Sequence, residues 1–198
     1  MPLRFSSVRA RLIKRVRMKR VCFDIGSSYF HNSLDGFMNE PSQARQYFEG
    51  KTFRFYAATT FDSSSRRFND FTDHKRLFAY LLRADEIITF NGRTCDLIVL
   101  EKLVGVEAMK PLWHKPHHDL RGWQGYNSLR SAVSKFLPNI AASFETVQTE
   151  RQAKIRNSFD SEFVAEHLAN TYRDTKFTFA LFERYLASGD SENTLRDN

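Results

Sequence analysis

Apolar residues cluster in short runs along this chain, and two of the runs carry acids. Val21-Cys22-Phe23-Asp24-Ile25 is apolar but for one aspartate, and Ile87-Ile88-Thr89-Phe90 leads through Asn91-Gly92 to Asp96. Runs of this length bounded by turn residues predict buried strands, at about residues 19–25 and over Ile87–Phe90. Thr52–Phe61, rich in aromatic and β-branched residues, predicts a third strand, and Asp62-Ser63-Ser64-Ser65-Arg66-Arg67 a turn. From Asp73 to Arg83, Leu77, Phe78, Leu81 and Leu82 recur at helical spacing, with Asp73 or Thr72 able to cap the start. A second helix is expected from about Thr94, with Leu97, Leu100, Leu103 and Val104 as its apolar stripe; Asp96 shares that face, so its side chain points toward the core.

Gly26 to Gly50 has weak periodicity and predicts loop, apart from a short helix over Ser42–Phe48. Lys110–His118, rich in Pro, Trp and His, predicts irregular chain. His118-Asp119-Leu120 suits a short strand, and Leu129, Val133, Phe136 and Leu137 a helix ending near Pro138. The last helix is expected over Ser161–Ala187. Its core stripe is Val164, Leu168, Tyr172, Thr175, Phe179, Phe182 and Leu186, with Glu166, Arg173 and Arg184 opposite. Asp174 borders the stripe, beside His167, Thr171 and Thr178. Strands near the N-terminus followed by alternating helix and strand predict an α/β or α+β sheet with helices packed on it.

The chain has 198 residues, 41% of them hydrophobic, which suffices for one core. The expected organisation is a basic arm over 1–18, one domain over 19–187 and a flexible tail over 188–198. No apolar run approaches the ~20 residues that span a bilayer, and a soluble protein without a membrane partner is expected. The net charge of +7 belongs to the arm: residues 1–20 hold eight Lys or Arg and no acid, leaving 22 basic against 23 acidic residues elsewhere. Such an arm suits a tail that contacts phosphates, an organelle presequence, or a charged lead-in to the first strand. A cytoplasmic location is expected, or an organelle matrix if residues 1–20 are a presequence.

An isolated carboxylate in a core strand is costly unless it is paired or binds a cation. Asp24 and Asp96, 72 residues apart in sequence, therefore suggest one metal site. Each acid also has a plain structural explanation. Asp24 could be satisfied by backbone donors, Asp96 could complement a helix dipole, Asp174 could sit on a helix surface, and Asp119 could cap or support. Cys22 and Cys95 precede the two key acids and read as small buried packing residues in a reducing compartment. His114, His117 and His118, with Trp113 and Trp123, lack the spacing and the cysteines of a structural zinc site. They suit a substrate-contacting loop or ordinary packing.

With its aspartates in these positions, the chain resembles the DEDD exonucleases of the ribonuclease H-like superfamily, most closely their predicted bacterial branch. The family's first motif, Phe-Asp-Ile-Glu, stands here as Phe23-Asp24-Ile25-Gly26. Its Phe-Asn-Gly motif stands as Phe90-Asn91-Gly92, followed by Asp96 with one residue more than usual. His118-Asp119-Leu120 resembles a following Asp-Leu pair, and Asp174 the last acid. The resemblance implies an α/β fold with a ribonuclease H-like mixed sheet flanked by helices in the exonuclease topology. It also implies two divalent cations, Mg²⁺ or Mn²⁺, held by Asp24, Asp96 and Asp174, with Asp24 shared between them. Asn91, Gly92 and Arg93 would contact the substrate, a DNA or RNA 3′ end, and Asp119 and His167 would stand behind the ligands. The implied chemistry is 3′ to 5′ hydrolysis of phosphodiesters.

Two positions depart from the family pattern. Gly26 stands where the family has a glutamate, and Asp35 or Glu40 would have to fold back to replace it. Asn170 and Ala169 stand where active relatives place Tyr or His ahead of the last acid. The alternative expectation is therefore a catalytically degenerate module that binds nucleic acid or a protein partner.

Overall fold

In the computed structural model the described residues are 18–27, 40–50, 54–156 and 161–189. Five strands form one mixed sheet: β1 Arg20–Ser27, β2 Phe55–Asp62, β3 Arg67–Phe71, β4 Glu86–Thr89 and β5 His117–Asp119. Their order is β3-β2-β1-β4-β5. β1 pairs antiparallel with β2 and parallel with β4, while β3 and β5 extend the two sides. The helices are α1 Pro41–Tyr47, α2 His74–Leu81, α3 Asp96–Val104, α4 Val106–Trp113, α5 Leu129–Phe136, α6 Pro138–Ala141, α7 Phe144–Ile155 and α8 Glu162–Ser188. The result is, as expected, an α/β fold, a mixed sheet with helices on both faces. None of the helices among the described residues is long and apolar enough to cross a membrane.

Alternation along β1 divides the core in two. Val21, Phe23 and Ile25 pack with Leu77 and Leu81 of α2, Leu97 and Leu100 of α3, and Met109 and Leu112 of α4. Cys22 lies on the other face, with Val133 of α5, Phe144 and Val147 of α7, and Phe177, Leu181 and Phe182 of α8. Asp24 and Gly26 continue that second face.

Several elements differ from expectation. β3 forms directly after the predicted turn, where no strand is expected; its sequence, Arg67-Phe68-Asn69-Asp70-Phe71, lies at the sheet edge and lacks apolar alternation. The end of α4, Lys110–Trp113, occupies chain expected to be irregular: Pro111 lies inside the helix, and Met109 and Leu112 are buried. α7 buries only Phe144, Val147 and Ile155 and carries little amphipathic signal. Leu168, Thr175 and Phe182 of the expected α8 stripe are buried, but the buried face is wider than that stripe, because the helix packs against both the sheet and α7. Ala165, Ala169, Thr171, Phe177, Thr178, Leu181 and Tyr185 are buried, whereas Leu186 is exposed. Of the basic arm only Met18 is described, and residues 190–198 of the tail and Asp35 lie outside the described residues.

Candidate functional site

Asp24 faces α8 across a stretch of sheet with little bulk: Gly26 pairs with Ala57 of β2, and Asp24 with Thr59. α8 can therefore lie close, and hydroxyl contacts set its height on the sheet. Thr59 and Thr171 hydroxyls are 2.9 Å apart, the Thr175 hydroxyl donates to the Thr59 carbonyl at 3.0 Å, and the Cys22 thiol donates to the Thr175 carbonyl at 3.5 Å. Asp174, next to Thr175, is brought near enough for its charge to act on Asp24.

Asp96 reaches the same place through a tight turn. Asn91 adopts a left-handed φ of 69°. Gly92 lies directly over the Thr89 side chain, and a Cβ there would stand 2.4 Å from Thr89 Oγ1, which leaves room only for glycine. Asp119, at the end of β5, accepts the backbone N–H groups of Asn91 (2.6 Å), Arg93 (2.8 Å) and Arg121 (3.2 Å). The Asn91 side-chain carbonyl oxygen accepts from the Thr94 hydroxyl and the Arg121 guanidinium, each at 2.6 Å. Asp96, buried at the start of α3, then accepts the Ile25 N–H at 2.9 Å. The Phe-Asn-Gly segment is thus the turn that carries Asp96 to the C-terminal ends of β1 and β4, the usual ligand crevice of open α/β sheets. Asn91 and Gly92 serve that turn, Asp119 braces it from β5, and the Arg93 guanidinium lies close enough to act on Asp119 and His117.

The acids raise one another's proton affinity. Burial, then the charges of Asp96 and Asp174, push Asp24 well above the usual carboxylate range, with Arg173 opposing. Asp96 is pushed up to about 7, mainly by burial and by the charges of Asp119 and Asp174, against the Ile25 N–H. Burial also raises Asp174, opposed by Arg173, and Asp119, opposed by its three backbone donors. Asp24 makes no side-chain hydrogen bond among the described residues.

The placement of two residues at this site is not legible in the sequence. Arg173, expected opposite the core stripe, turns back so that its Nε stands 2.7 Å from Asp174 Oδ1. It is held by Gln148 and lies over the Phe144 ring, 4.7 Å from the centroid. His167 covers Gly26: a Cβ on that glycine would stand 3.0 Å from its Nδ1. Glu40 is exposed before α1 and makes no side-chain hydrogen bond among the described residues. As they stand, no three His, Cys, Asp or Glu side chains among the described residues are arranged to hold a metal ion. Asp174 is engaged by Arg173, and one oxygen of Asp96 by Ile25.

The neighbouring cysteines and histidines have other duties. Cys22 and Cys95 are free thiols pushed up by burial and by the charges of Asp24 and Asp96, which makes them poor nucleophiles. His117 bonds the Thr89 hydroxyl at 2.7 Å and is held by burial down to about 3, so it stays neutral. His114 meets the Lys110 carbonyl, Trp113 donates to Glu101, and Trp123 stacks on Phe136. His117, Trp113 and Trp123 are thus engaged within the protein, while His114 is exposed.

Among solved structures the chain is similar to the family B DNA polymerase from the hyperthermophilic archaeon Pyrobaculum calidifontis, with 15% identity and a TM-score of 0.42 over 85% of this chain and 24% of that chain. It thus spans about a quarter of that polymerase's length. No family model matches the chain, and no curated protein matches it.

Proposed function

We propose that this chain hydrolyses nucleic-acid phosphodiesters from a 3′ end with the aid of divalent cations, at Asp24, Asp96 and Asp174. The observation that carries this reading is Asp24: a carboxylate on a core strand, without a hydrogen bond among the described residues, beside two further acids whose charges oppose its own. Such a group costs folding stability and does nothing for the core. A cation among the three acids reverses that cost, and carboxylate oxygens are the donors that Mg²⁺ and Mn²⁺ prefer. When bound, such ions polarise the phosphoryl oxygen and lower the pKa of an attacking water.

The chain's own residues have separable tasks. Asp24, Asp96 and Asp174 would together hold the cations. Arg173 offsets the charge of Asp174 and has to yield it to a cation. The eight basic residues in 1–20 suit contact with the phosphates of a substrate strand.

A second reading, a degenerate module that binds nucleic acid without cutting it, is favoured by His167 over Gly26 and by the Arg173–Asp174 ion pair. Cleavage of 3′- and 5′-labelled single-stranded DNA and RNA in Mn²⁺, Mg²⁺ or chelator decides between them. Stepwise shortening from the 3′ end that needs metal and vanishes in Asp24→Asn supports the hydrolase. Strands bound but left intact support the degenerate module.

A further inference from the structure

His167 lies on α8 over Gly26, beyond Asp24 on β1. Its ring stacks on Tyr56 with centroids 4.7 Å apart and meets Phe163 edge to face at 4.4 Å. Packed between two rings, it has few rotamers open to it. Yet it makes no hydrogen bond among the described residues and is only half-buried. It lies over Gly26, two residues or roughly 7 Å beyond Asp24 along β1. On α8 it precedes Asp174 by two turns, about 10 Å. His167 is thus too far along to join the acids but borders the space next to them, and Phe163 beside it is 48% exposed.

We infer that His167 is a nucleotide-contacting residue: its ring nitrogen hydrogen-bonds the sugar or base edge of a nucleotide whose phosphate lies at the aspartates, and Phe163 flanks the base. Gly26 is the other half of this device, since any side chain there pushes against the imidazole. The inference rests on nucleic acid as the partner but not on cleavage.

The test is fluorescence anisotropy of a labelled single-stranded oligonucleotide in chelator, beside cleavage in Mn²⁺. His167→Ala is expected to weaken binding about five- to tenfold, the worth of one hydrogen bond with some apolar contact. His167→Gln, which keeps a polar group there, should recover most of the loss. Gly26→Ala should weaken binding by displacing the ring and should add nothing in the His167→Ala background, the coupling expected of two residues in contact, while recovery by His167→Gln is what a mere packing role does not produce. Thermal midpoints separate a lost contact from a lost fold. Binding by His167→Ala within twofold of the unmodified chain, or additive losses in the double variant, overturns the inference even if cleavage is robust. Strands bound without cleavage defeat the hydrolase reading while the same affinities still judge His167. An unmodified chain that binds no strand overturns both.

Discussion

Arg173 closes on its own chain neighbour, its Nε and Nη2 lying 2.7 and 3.2 Å from the two carboxylate oxygens of Asp174. Successive helix residues point apart, so helix geometry alone does not make this contact. Phe144 and Gln148 of α7 turn the guanidinium back toward the acids. The cationic group that opposes the charge of Asp24 therefore comes from the helix that carries one of its acids.

Replacing Arg173 with glutamine should uncover the repulsion between Asp174 and Asp24. Stability in chelator should fall by about 1–2 kcal/mol, a buried-pair effect reduced by the pair's partial exposure. Titration calorimetry should show tighter Mn²⁺ binding, because a competitor for Asp174 is gone. Weaker Mn²⁺ binding would mean that Arg173 helps to build the site.

The raised acids give a pH dependence of known sign. Asp96 titrates near about 7 when folded and near about 4 when unfolded. Its contribution is therefore fully present below about pH 4 and is lost as pH rises through about 7. His117, held down to about 3, acts in the opposite sense between roughly pH 6.5 and 3. The clean measurement is the difference between Asp96→Asn and the unmodified chain. Asparagine still offers an oxygen to the Ile25 N–H, and its stability advantage should grow from about pH 4.5 to about pH 8, reaching several degrees of thermal midpoint. A difference that stays flat with pH would show that Asp96 is not raised.

Gly92→Ala should cost about 2–4 kcal/mol, measured by chemical denaturation, because the added methyl meets both Oγ1 and Cβ of Thr89 within 2.5 Å. Its φ is not in the left-handed region, so the penalty is one of space. A loss below about 1 kcal/mol would mean that the turn can move away from β4.

Asp119 should matter through the turn it braces. Asp119→Ala strands three backbone donors and is expected to cost about 2–4 kcal/mol, whereas Asp119→Asn keeps one acceptor oxygen and should cost less. Both should weaken Mn²⁺ binding through misplacement of Asp96. If Asp119→Asn instead abolished metal binding with stability unchanged, Asp119 would be a ligand.

The parts of the fold legible in the sequence are those whose burial is one-sided or complete. β1 and β4 are near-continuous apolar runs, and α2 has a clean stripe capped by Asp73, whose side chain accepts the Lys75 N–H at 2.8 Å. β3 is hidden because it is an edge strand whose Asn69 and Asp70 bond side chains of other elements, Tyr80, Thr59 and Arg151, so its polar residues do not mark a loop. The extent of α8 and part of its core stripe, Leu168, Thr175 and Phe182, are legible, but the full width of its buried face is not, because two surfaces bury more than one stripe of it. At the site, Asp24 and Asp96 stand out as charges in or just after apolar runs, whereas Asp174 lies in a polar stretch of α8 and does not. The roles of Arg173 and His167 depend on how α8 meets α7 and β1, which no local pattern encodes.

β5 is only three residues long and lies at the edge of the sheet. It nevertheless supplies Asp119 and His117, which bond the turn before Asp96 and the threonine beneath it. Local opening free energies within one domain range from near zero up to that of global unfolding, and a short strand paired on one side only falls below the core strands. The alignment of a deeply buried acid is therefore as durable as one of the least protected strands of the sheet. An opening confined to β5 would dismantle the site while the rest of the domain stayed folded.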